Sequence, residues 1–214
     1  MNIMIIGDSW GVPTPYLYNH TENTLKNFGY NVVNFSEYGG SNLQTITKAT
    51  EYCKKHSVDW IIWFHTEMLR EHMSVIMDHP FNLYDIIEKT SIEVYQKFEK
   101  LRLKTNAKTI VIGGQSPVLD NFNEYSYSNL LIKDWRSEIL NVDLPCQFAN
   151  RNFYDVISSS NNTISEKEKF EHLQKIKIIK DLMRQSKEFY DSIHPGNEPH
   201  LELAKKIHKF IQEN

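Results

Sequence analysis

Apolar residues along the chain fall into short unbroken runs that alternate with longer stretches of helical period. Ile3-Met4-Ile5-Ile6 stops abruptly at Gly7-Asp8-Ser9-Trp10-Gly11, the pattern of a buried strand that ends at a glycine-flanked serine. Pro13 and Pro15 keep the next residues out of helix. Tyr16 to Phe28 then sets Leu17, Thr21, Leu25 and Phe28 on one face, with Gly29 as the stop. Tyr30 to Phe35 predicts a second strand, and Ser41 or Asn42 caps a helix running to about His56. Val58 to Phe64 is apolar on both faces, as central parallel strands are. Residues 65–80 read as loop with a helical turn at most. Phe81 to Leu103 is a long amphipathic helix carrying Leu83, Ile86, Ile87, Val94, Phe98 and Leu101. Thr109 to Ile112 predicts a fourth strand, and the Asn-, Tyr- and Ser-rich stretch after Gly113 reads as a long functional loop reaching about Trp135. Leu144 to Phe148 predicts a weak fifth strand that Pro145 demotes toward an edge. Residues 150–162 read as connection, Ile164 to Tyr190 as a charged helix or helix pair, and Glu198 to Gln212 as a closing helix.

Strands and helices in this repeating order imply a parallel sheet covered on both faces, so the expected fold class is α/β, a three-layer α/β/α sandwich of about five strands. Ligands of such sheets bind outside the carboxyl ends of the strands. The segments that fall there are Ser9 to Gly11, Tyr38 to Asn42, His65 to Glu67 and Gly113 to Ser116.

Composition narrows the function. At 214 residues and 40% hydrophobic content the chain can bury a full core and is expected to form one domain, 1–214. A formal net charge of -3 with interspersed lysines and glutamates leaves no basic stripe to neutralise a row of phosphates, so nucleic acid is not an expected partner. Cys53 and Cys146 lie far apart and outside any zinc-type cluster, and both read as reduced thiols. No segment approaches the ~20 apolar residues of a membrane span, and no secretory leader is recognisable, which sets a cytoplasmic location as the expectation. His65, His72 and His79 recur every seven residues, yet His65 belongs to a strand end and Pro80 closes the segment, so no metal face is expected. His200 and His208 read as solvated helix residues, and Trp10 and Trp63 as packing residues.

A serine hydroxyl is a weak nucleophile until a base takes its proton, and the base needs a third group to orient it. Asp191 and His194 stand three apart in a turn marked by Pro195 and Gly196, so the carboxylate can reach the imidazole within one loop and leave the other ring nitrogen for Ser9. Backbone N-H groups exposed at Gly39 and Gly40, with the N-H of Ser9, can hold negative charge developing on a carbonyl oxygen. Asp8 is expected to hold the loop by backbone hydrogen bonds.

These blocks resemble the GDSL/SGNH hydrolases, a flavodoxin-like α/β group of serine esterases and lipases. Gly7-Asp8-Ser9 matches the family's N-terminal block, Gly39-Gly40-Ser41-Asn42 is similar to its second, and Asp191-Ser192-Ile193-His194-Pro195 is similar to its Asp-x-x-His-Pro block. The resemblance implies a Ser9-His194-Asp191 triad that cleaves a carboxylic ester through an acyl-enzyme, with neither metal nor organic cofactor. Its substrate would be a small-molecule, glycan or lipid ester, and the lack of a long apolar lid favours a short acyl group. One block departs. Where the family ends its third strand in Gly-x-Asn-Asp, whose asparagine completes the oxyanion hole, this chain has Phe64-His65-Thr66-Glu67. Either Thr66 or Glu67 takes the asparagine's place; an ionised glutamate cannot donate, which leaves Thr66 or His65 as the substitute donor. That departure also motivates an alternative, an SGNH-fold binding module of weak or absent activity. Gly7 to Gly11 further matches the Gly-x-Ser-x-Gly elbow of α/β-hydrolases, but only one strand precedes Ser9, which rejects that template. The sequence pattern sets no oligomeric state.

Overall fold

The computed structural model of the chain describes residues 1–144, 151–191 and 193–214, without the side chains of residues 74, 75, 77 and 151–153. Its centre is a five-stranded parallel sheet in the order β2-β1-β3-β4-β5, formed by β1 (Asn2–Gly7), β2 (Asn31–Asn34), β3 (Trp60–His65), β4 (Lys108–Gly113) and β5 (Asn129–Ile132). Helices cover both faces, so the α/β sandwich expected from the pattern is the observed fold. Strands β1 and β3 are apolar on both sides because both sides are covered: Ile3 to Ile6 and Ile61 to Phe64 are wholly buried.

Helices α1 (Thr21–Asn27), α6 (Trp135–Leu140) and α9 (Asn197–Glu213) share one face. There α1 packs on α9, and Trp135 of α6 sits edge-on to His200 of α9 with ring centroids 5.2 Å apart. Helices α2 (Asn42–Tyr52) and α4 (Leu83–Thr105) pack together on the other face, with α5 (Phe122–Tyr125) against α4. A 3-10 turn (Met68–His72) and α3 (Met73–Asp78) follow β3, and α7 (Arg151–Ser158) pairs with α8 (Glu166–Gln185), whose first turn carries a Ser165/Glu168 capping box.

The structure corrects several elements. The fifth strand lies at Asn129–Ile132, inside the stretch read as a loop; the predicted strand at Leu144 to Phe148 falls, beyond Leu144, outside the described residues. A helix, α7, occupies part of the expected connection. Helix α1 begins at Thr21 and not at Tyr16, because Leu17 and His20 close two turns onto the carbonyls of Thr14 and Leu17, and the His20 ring then caps the helix by accepting the Glu22 N-H at 3.2 Å. His200 is buried, not solvated, with the Thr21 hydroxyl 2.9 Å from its Nδ1, and His208 is half-buried against the Tyr30 hydroxyl at 2.8 Å.

Candidate active site

β1 delivers Ser9 to the carboxyl edge of the sheet through two tightly held residues. Gly7 has φ +146, and a Cβ on it would lie 2.5 Å from the Phe64 carbonyl oxygen, so a side chain there meets both strain and backbone. Asp8 is buried, with Oδ1 accepting the Trp10 N-H at 3.0 Å, and its carbonyl accepts the Gly11 N-H at 3.0 Å. Ser9 therefore heads a compact turn, which buried Trp10 anchors by packing edge-on to Trp135 and Phe189 at 5.6 and 6.2 Å.

The loop before α9 folds back over that turn. Asp191 Oδ1 accepts the N-H groups of Ile193 and His194 at 3.0 and 2.7 Å, and Oδ2 lies 2.7 Å from His194 Nδ1. His194 Nε2 is 3.0 Å from Ser9 Oγ, a contact between residues 185 apart in the chain. A proton on Nδ1, where the carboxylate accepts it, leaves the Nε2 lone pair free for the serine O-H. Partial burial alone would raise the Asp191 carboxyl, but the hydrogen bonds from the His194 ring and from the His194 and Ile193 N-H groups hold it below the usual range. The loop is closed by Tyr190 N-H to His194 O at 3.1 Å and Gly196 N-H to Glu188 O at 2.6 Å. The Tyr190 ring stacks on the imidazole at 5.7 Å and 22°; burial, with Asp191 and Tyr38 nearby, pushes its phenol up to about 12.

The oxyanion candidates are less uniform. Among the described residues the Ser9 and Gly39 N-H groups have no hydrogen-bond partner, whereas the Gly40 N-H closes a turn onto Glu37 O at 3.0 Å in which Gly39 sits at φ +67. His65 points into the α4 side of the core, edge-on to Trp63 at 5.3 Å and 3.5 Å from the Tyr95 hydroxyl, and burial pushes its pKa down to about 3. Thr66 is engaged by Asn42, which accepts the Thr66 N-H at 3.0 Å and donates to its carbonyl at 2.9 Å, and the Thr66 hydroxyl donates to Glu67 Oε2 at 2.7 Å. The structure thus brings Ser9, Asp191 and His194 together, commits both Thr66 donors within the protein and turns His65 into the core.

Sequence reasoning passed over Arg70. From the 3-10 turn its guanidinium donates through Nη1 to Gly40 O at 3.1 Å and lies 3.6 Å from Asp8 Oδ2, while Nη2 is 2.9 Å from Glu67 Oε2 and 3.5 Å from Gln115 Oε1. Burial raises the carboxyls of both Asp8 and Glu67, with Arg70 acting against that rise in each. The signal for it was thin: one arginine among five in the chain, three residues beyond a glutamate, in a segment without clear period. Among the described residues no group of three or more His, Cys, Asp or Glu is placed to hold a metal ion, and no helix is long and apolar enough to cross a membrane.

No protein-family model and no curated protein matches the chain. Solved structures do. The psychrotrophic esterase EstA from Pseudoalteromonas sp. is 12% identical, with 99% of this chain and 97% of that chain covered at a TM-score of 0.51. The acetyl xylan esterase AlAXEase is likewise 12% identical, with 99% and 100% covered at a TM-score of 0.51. A member of the lipolytic G-D-S-L family from Veillonella parvula DSM 2008 aligns at 14% identity over 100% and 99% of the two chains, at 0.48. At these identities the likeness establishes the fold, an α/β sandwich like that of the SGNH hydrolases, and nothing finer.

Proposed function

We propose that the chain is a single SGNH-hydrolase-like domain, residues 1–214, that hydrolyses a carboxylic ester with Ser9 as nucleophile, His194 as base and Asp191 as its orienter. One observation carries the reading: an unbroken line of 2.7 Å from Asp191 to His194 and 3.0 Å from His194 to Ser9, built from two ends of the chain at the carboxyl edge of a parallel sheet. In the proposed reaction Ser9 Oγ attacks the acyl carbon as Nε2 takes its proton. The Ser9 N-H and the Gly39-Gly40 turn face the oxyanion. The tetrahedral species collapses as His194 protonates the departing alkoxide. Water, deprotonated by the same nitrogen, then releases the acid and restores Ser9. No step calls for a metal or organic cofactor. A short acyl group, such as acetyl on a carbohydrate or lipid alcohol, suits this reading, and one protein of the same fold is an acetyl xylan esterase.

The engagement of Thr66, His65 and the Gly40 N-H within the protein favours a second reading, a binding module that keeps the fold with little turnover. A short-chain chromogenic ester and a serine-reactive fluorophosphonate separate the two. The hydrolase reading expects turnover and one adduct on Ser9, both lost in Ser9→Ala; a folded wild type showing neither would sink it.

A further inference from the structure

We propose that Arg70 is the positioning residue of the oxyanion side, holding the donor-bearing turns in register from beneath; this rests on the hydrolase reading above. Its side chain is 11% exposed, and its contacts join four separate strand ends: Asp8 after β1, Gly40 after β2, Glu67 after β3 and Gln115 after β4. A planar fork can serve acceptors in several fixed directions at once, which a lysine ammonium cannot do with the same geometry.

The contact with Gly40 is the informative one. The Gly40 N-H is committed to Glu37, so the turn is shut from one side, and Nη1 holds the Gly40 carbonyl from the other at 3.1 Å. That fixes the Gly39-Gly40-Ser41 backbone relative to the Asp8-Ser9 corner, the two places from which the oxyanion donors come. In the resembled family an asparagine at the end of the third strand completes this side. Here the same strand end carries Thr66 and Glu67: the Thr66 hydroxyl is spent on Glu67 and the Glu67 carboxylate holds Arg70 at 2.9 Å, so neither supplies an amide donor. Charge points the same way. Asp8 and Glu67 are both buried at this edge with Arg70 between them, and without it any negative charge they carry would oppose an oxyanion forming there.

A role limited to neutralising Glu67 would vanish once Glu67 is removed as well, and that defines the test. Wild type, Arg70→Lys and Arg70→Met/Glu67→Leu are compared on p-nitrophenyl acetate for kcat and KM, on fluorophosphonate for the labelling rate of Ser9, and by thermal melting. The double variant is expected to melt close to wild type, to keep KM within about threefold and to lose about 100-fold in kcat, with labelling slowed in parallel. Arg70→Lys is expected to fall about tenfold in kcat at unchanged KM. A double variant within threefold of wild-type kcat overturns the proposal. Should the double variant fail to fold, Arg70→Lys decides: wild-type kcat with a lowered melting temperature overturns it, and a reduced kcat at wild-type KM supports it. A wild type that neither turns over nor labels defeats the hydrolase reading and Arg70's role with it, an outcome read on the wild type alone.

Discussion

Acidification from pH 7 to pH 5 is expected to lower the stability of the fold, His20 and His65 alone contributing a loss of about 4 kcal/mol, because three histidines are buried without charge. His20, His65 and His200 are all at most 1% exposed. Burial pushes His20 from its ordinary 6.5 down to about 4 and His65 to about 3, and His200 is held well below 6.5 by burial and by the His20 ring 4.3 Å away. In the unfolded chain each takes up a proton as pH falls through 6.5, while the folded chain cannot follow until far lower. Their contribution is therefore complete above pH 6.5 and is lost as pH falls toward 4. At pH 5 the lag is worth about 2 kcal/mol for each of His20 and His65, or ~4 kcal/mol together, and His200 adds to it in the same direction. The Asp8-Glu67 pair works in the opposite sense. Both carboxyls are raised by burial, with Arg70 acting against the rise, so the cluster gives up its protons at higher pH when folded than when unfolded and opposes the histidines on acidification. His20 and His65 together take up about two protons on unfolding near pH 5.5. Urea denaturation from pH 5 to 8 measures the slope directly, and His65→Phe should reduce it by about 1.4 kcal/mol per pH unit. A stability that stays flat from pH 7 to 5, or an unchanged slope in His65→Phe, would refute the reasoning.

Asp191→Asn preserves the shape of the loop but presents an amide N-H to Nδ1, favouring the tautomer that cannot accept the Ser9 proton; kcat should fall about 10^3- to 10^4-fold with little change in KM, checked by steady-state kinetics. Gly7→Ala forces an L side chain to φ +146 and onto the Phe64 carbonyl, and should cost more than about 3 kcal/mol in urea unfolding. Asn42→Ala strips partners from the buried Thr66 N-H and carbonyl, and a loss of about 2–4 kcal/mol is expected in the same assay.

Strands β1 to β4 were legible because each is a dense apolar run bounded by turn residues, and the long helices because their apolar faces repeat at helical spacing. β5 was hidden for a physical reason. Asn129-Leu130-Leu131-Ile132 is four residues long, sits at the sheet edge, and pairs with β4 through a register shift at Val111/Ile112, so it needs little apolar pattern of its own. His200 misled because a polar ring at a helical position looks solvated until the neighbouring faces are known; α1 and α6 close over it with Thr21 and Trp135.

The local pattern by itself determined that a parallel sheet forms, that Ser9 ends its first strand, and that Asp191 and His194 share one turn. Those are short-range matters of strand breaking, glycine and proline. What only the tertiary structure decided is which donors are free and which are spent. His65 faces the core because strand side chains alternate, Thr66 belongs to Asn42 because α2 starts beside the end of β3, and Arg70 reaches four strand ends because the sheet brings those ends to one edge. Each of these depends on contacts between residues far apart in the chain, and no pattern along it records them.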